Sequence, residues 1–120
     1  MANPVLENYQ SEIDKDYFRL LKELRRIYVK HFYAQADYTH YKSLLDKDVL
    51  LSEIIKKDAL DKMHTSFARF KKMDEEFRLL KKQIETWNAD CKNLQSKVPG
   101  LRIYSFEDLY SNMFMKDANG

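Results

Sequence analysis

Residues 13–45 read IDKDYFRLLKELRRIYVKHFYAQADYTHYKSLL, and the spacing of their apolar members decides the fold. Ile13, Tyr17, Leu20, Leu24, Ile27, His31, Ala34, Tyr38, Tyr41 and Leu45 follow one another at alternating steps of four and three. An α-helix gathers such positions into one stripe, the 3.5-residue seam of a coiled coil. His31 is its only polar member, most simply a buried residue that sets register. Leu21, Tyr28 and Phe32 lie beside the stripe and widen it, as expected of a helix with more than one neighbour. Upstream, Asn3-Pro4 offers an N-cap followed by proline at the first helical position. Ser11-Glu-Ile-Asp14 offers a second cap, so the helix starts at one or the other.

A second seam runs through Met63, Phe67, Phe70, Met73, Phe77, Leu80, Ile84, Trp87, Cys91, Leu94 and Val98. It carries one irregularity, two successive steps of three at Phe67, Phe70 and Met73, which would overwind the packing locally. Pro99-Gly100 stops it. Glu53/Lys57, Asp58/Lys62 and Asp74/Arg78 are spaced four apart in the favoured order and suit a solvated outer face. Between the seams, continuing the first one would put Asp48 and Ser52 in the core, so the pattern breaks there. Asp46 to Asp48 reads as a turn, with Asp48 as an N-cap. Either a short helix with Val49, Leu50, Leu51, Ile54 and Ile55 follows, or the second long helix begins there.

Two helices of similar length joined by a short turn pack antiparallel. The expectation is therefore an all-α chain: a long, coiled-coil-like helical hairpin over residues 1–98, turning near 46–58. The competing arrangement, one continuous helix in a parallel dimer, is disfavoured by the break at the centre of the pattern. Residues 99–120 form a Pro-Gly hinge and a tail. Within the tail, Ser105-Phe-Glu-Asp108 resembles a capping box. Phe106, Leu109, Tyr110, Met113 and Phe114 then recur at helical spacing, giving a short amphipathic helix. That helix packs either on its own hairpin or on another chain.

Composition agrees with long helices. Charged residues make up 33% of the 120, and Gly and Pro number two each. After Pro4 no strong breaker appears before Pro99. Net charge is +2, with acidic and basic residues intermixed along the chain, which leaves a weak electrostatic footprint for nucleic acid. The N-terminal residues lack the basic start and apolar run of a signal peptide. Ala2 stands where myristoylation needs glycine, and no apolar run approaches the length of a membrane span. The single Cys91 cannot form an internal disulfide and suits a reducing compartment. These features point to the cytoplasm or nucleus.

No motif carries chemistry. His31, His40 and His64 fall in no metal-ligand pattern. Asp37 precedes His40 by three and Asp61 precedes His64 by three, a spacing that charged helices produce by chance. There is no GxSxG, glycine-rich phosphate loop, HExxH or CxxC. The reading is of a protein that is not an enzyme, with no cofactor, metal or small-molecule substrate.

The aromatic content is the informative anomaly. Eight Tyr, seven Phe and one Trp are many for a coiled coil, whose seams favour Leu and Ile. Tyr28, Phe32, Tyr33, Tyr38 and Tyr41 crowd one stretch. A bare hairpin buries only one stripe per helix, so a third layer is needed, from the tail, a second copy or a partner. The expected function is a non-catalytic helical scaffold or adaptor subunit, binding other helical subunits or itself as a homodimer. Its contact residues would be Tyr28, Phe32, Tyr33, Tyr38, Tyr41, Phe106, Leu109, Tyr110, Met113 and Phe114. The alternative is a binder of a charged polymer, microtubule or nucleic acid. It would use Lys22/Arg25/Arg26/Lys30 and Lys71/Lys72/Arg78/Lys81/Lys82.

Overall fold

A computed structural model describes residues 3–47 and 52–115. Helix α1 spans Pro4–Asp46, α2 spans Glu53–Lys97, and α3 spans Phe106–Asn112. The chain is an all-α antiparallel hairpin with a short C-terminal helix. Between the two readings of the start of α1, Asn3 prevails: its Oδ1 accepts from the amides of Val5 at 3.1 Å and Leu6 at 3.3 Å. Ser52 caps α2, its Oγ accepting from the Ile55 amide at 3.3 Å. Ile54 and Ile55 are thus the first turn of the long helix, while Asp48, Val49, Leu50 and Leu51 lie outside the described residues. Gly100, at φ +97°, makes the turn after α2 in a backbone region that L side chains avoid. The Ser105 capping box forms in full: Asp108 N donates to Ser105 Oγ at 3.2 Å, and Ser105 N donates to Asp108 Oδ2 at 2.9 Å.

The packing divides the chain into two units, Met1–Arg26 with Arg78–Gly120, and Ile27–Phe77. In the first, Leu24 and Ile84 are completely buried at facing positions of the two long helices, with Leu20, Leu21 and Leu80 around them. Burying each such side chain contributes roughly 1.5–3 kcal/mol. Ile13, Cys91 and Leu101 form a further cluster, against which Leu6, Trp87, Leu94, Val98 and Tyr104 pack. Burial pushes the Cys91 thiol pKa above its usual value, and Asp16 and Asp90 add to the effect.

The second unit takes in the end of α1 and the start of α2. Ile27, Ala34, Ala59, Ser66 and Met73 are buried, and His31, Tyr38, Tyr41, Met63 and Phe70 are half-buried. The His31 ring stacks on Phe70 with centroids 4.4 Å apart, and its Nε2 lies 3.8 Å from Asp74 Oδ1. The register of α2 differs from the sequence reading at one point. Ser66 is 4% exposed and Phe67 is 39% exposed, so serine occupies the seam and phenylalanine flanks it. The seam then runs Ala59, Met63, Ser66, Phe70, Met73, Phe77, Leu80, Ile84, Trp87, Cys91, Leu94 and Val98 at unbroken steps of four and three, with no overwound stretch. Of the helical ion pairs, Asp58–Lys62 forms at 3.1 Å, while Glu53 pairs with Lys56 at 3.7 Å.

Candidate interaction surface

A heptad register makes the faces explicit. With Tyr17, Leu24, His31 and Tyr38 at a on α1, and Met63, Phe70, Ile84 and Cys91 at a on α2, position e flanks a, and g flanks d. The contacts agree with this register. Tyr38 at a meets Phe67 at e, ring centroids 5.3 Å apart, and Lys62 at g lies 5.8 Å from the Tyr41 ring at d.

In the first unit the a/e side is covered by the tail. The α2 residues at e are Lys81, Asn88 and Gln95, and each holds part of it. Asn88 Nδ2 donates to Tyr104 O at 2.7 Å, and Gln95 Nε2 donates to Leu101 O at 2.7 Å. Lys81 Nζ lies 5.1 Å from the centre of the Phe106 ring. From α1, the Gln10 side-chain amide pairs with the backbone of Arg102, donating to its carbonyl at 3.1 Å and accepting from its amide at 2.8 Å. Tyr17 stacks on Tyr104 with centroids 4.1 Å apart, and its hydroxyl accepts from Asn112 Nδ2 at 2.7 Å. Arg25 closes the far end, donating to the carbonyls of Asn112, Met113 and Met115.

The residues expected to meet a partner divide accordingly. In the tail, Leu109 is completely buried and Met113 nearly so, both inside the chain's own first unit. Phe106 is half-buried, whereas Tyr110 and Phe114 are exposed. These three rings form a ladder with centroids 5.9 and 5.3 Å apart. In the second unit Tyr28, Tyr38 and Tyr41 are half-buried, while Phe32 is 55% and Tyr33 62% exposed. Leu60 and Phe67 are exposed too, at e on α2. Sequence reading missed Leu60, and it placed Phe67 in the seam. The signal was there, because Leu60, Phe67, Asp74, Lys81, Asn88 and Gln95 recur every seven residues.

The basic clusters are partly spoken for. Arg25 is engaged with the tail and Arg26 with Glu23, and Lys71 lies over the Phe67 ring at 5.1 Å. A depression in the first unit, about 500 Å³, lies between Leu20 on α1 and Leu79 and Trp87 on α2, with Lys82 and Asp90 at its rim. Among the described residues, no three His, Cys, Asp or Glu are placed to share a metal ion, and no helix is long and apolar enough to cross a membrane. The chain matches no protein-family model, no curated protein and no solved structure.

Proposed function

We propose that this protein is a non-catalytic helical scaffold or adaptor subunit that holds other helical proteins in an assembly. One observation carries the reading. The unit Ile27–Phe77 leaves Phe32 and Tyr33 on α1, and Leu60 and Phe67 on α2, open to solvent. Apolar and aromatic side chains grouped in this way on a folded helical surface characterise protein interfaces. The engagement of Arg25 by tail carbonyls also supports it over charged-polymer binding, since that guanidinium is occupied within the chain.

The test is proximity crosslinking of the full chain in cells, with a photoreactive residue replacing Tyr33. Defined protein adducts that disappear in a Phe32→Asp/Phe67→Asp variant of unchanged helicity are the expected result. A chain that yields no adduct, or adducts indifferent to that variant, overturns the reading.

A further inference from the structure

The a/e side of the hairpin shows what it accepts. In the first unit it holds a short helix with Phe106, Leu109 and Met113 packed inward or along its edge, and with Glu107 and Asp108 in its first turn. A lysine from the hairpin, Lys81, lies over one of its aromatic rings. In the second unit, residues 28–42 lie on α1 and residues 57–71 on α2, and their e and b positions can be read directly. On α1 these are Tyr28, Phe32, Gln35, Thr39 and Lys42, and on α2 Lys57, Leu60, His64, Phe67 and Lys71. Phe32, Leu60 and Phe67 are exposed, and Phe32 begins a depression that continues along α1 through Gln35, Ala36 and Thr39. None of the ten positions is acidic and three are lysine. The nearest acidic residues on these two series stand beyond the ends, Asp74 at one and Asp46 and Glu53 at the other. Asp74 lies beside His31, and Glu53 pairs with Lys56.

Resting on the scaffold reading above, we infer that this face is the docking site for an acidic amphipathic helix of a partner protein. The charge pattern selects the occupant. An apolar strip of Phe32, Leu60 and Phe67, edged by Lys42, Lys57 and Lys71, favours a helix whose Leu or aromatic stripe is flanked by Glu or Asp. Residues 28–42 extend about 20 Å, so the docked helix has about four turns. Unlike the tail helix, which is tethered to the hairpin, this helix arrives from another chain and orders as it binds.

The probe is a displayed library of 18-residue peptides with Leu, Phe or Tyr at every third or fourth position and every flanking position randomised between Glu and Lys. It is selected on the immobilised full chain. Enriched peptides are expected to be rich in Glu and to lose binding to Phe32→Asp/Phe67→Asp. They should bind the Lys57→Glu/Lys71→Glu variant about tenfold or more weakly. All these sites are exposed, and the variants' melting curves verify that they fold. Enrichment without charge preference, enrichment indifferent to the variants, or no enrichment overturns the assignment. So does a concentration-dependent dimer that Phe32→Asp/Phe67→Asp converts to monomer, since a second copy then covers the face. The crosslinking test separates the two levels of inference. Adducts formed in cells without the library result remove only the acidic-helix assignment, whereas absence of adducts removes the scaffold role itself.

Discussion

The Arg25 guanidinium donates to the Met113 carbonyl at 3.2 Å, and so ties the end of the tail helix to the middle of α1. The last carbonyls of a helix have no partner within it and carry its negative dipole end. Arg25 meets that need with a planar fork that also reaches Asn112 and Met115 at 3.3 and 3.2 Å. Replacing it with alanine should cost about 1–2 kcal/mol in urea denaturation. Lysine should recover only part of this, because a single ammonium cannot span three carbonyls. Equal stability of the wild type and both variants would show that the tail is held without this residue.

Leu109 is the apolar anchor of the same helix. Its complete burial predicts a loss of about 2–5 kcal/mol for Leu109→Ala. Tyr110→Ala, on the exposed side, should lose well under half of that. Thermal melts of the two variants make the comparison. Similar melting points would mean that the tail spends little time on the hairpin.

Neighbouring positions in α2 give a sharper test of register. Ser66→Asp puts an unpaired charge in the seam and should destabilise by several kcal/mol, whereas Phe67→Asp should cost far less. Ser66→Ala should stabilise by about 0.5 kcal/mol through helix propensity. The opposite ranking of the two aspartates would restore the reading in which Phe67 is the core residue.

Tyr104 predicts an alkaline weakness. Burial first, and the nearby Asp14 carboxylate next, push its hydroxyl above the usual phenol value, while Arg102 acts in the other direction. A raised value in the folded state means that folding favours the neutral phenol. The associated stability is full below the unfolded value of about 10 and is lost as pH rises through the folded value. Melting temperature should therefore fall above about pH 10 more steeply in wild type than in Tyr104→Phe. That variant keeps the stack on Tyr17 but cannot ionise. Parallel pH profiles would remove Tyr104 as the cause.

Much of this was legible in the sequence because helical periodicity is a property of spacing. The α1 seam from Ile13 to Leu45 turns inward as spaced, buried through Ile27 and at Ala34 but only half-buried at His31, Tyr38, Tyr41 and Leu45, and the Ser105 box forms as written. Ser66 was missed because a hydroxyl does not register as apolar, although a small side chain fits where two helices approach closely. The hold on the tail was not legible either. Gln10, Asn88 and Gln95 bind backbone atoms outside their own helices, and a side-chain amide on a helix surface gives no sign of which carbonyl it will find. Exposure of Phe32 and Leu60 depends likewise on what fails to cover them, which is a tertiary fact.

Cys91, 5% exposed in the cluster with Ile13 and Leu101, is the chain's only thiol. Its pKa is raised by burial, so in the closed state it is both shielded and short of the reactive thiolate. A thiol-modifying reagent added to the native protein can therefore react appreciably only when that cluster opens. The molecule carries its own clock: the labelling rate of one sulfur, without any engineered probe, times the breathing of the joint where hairpin and tail meet.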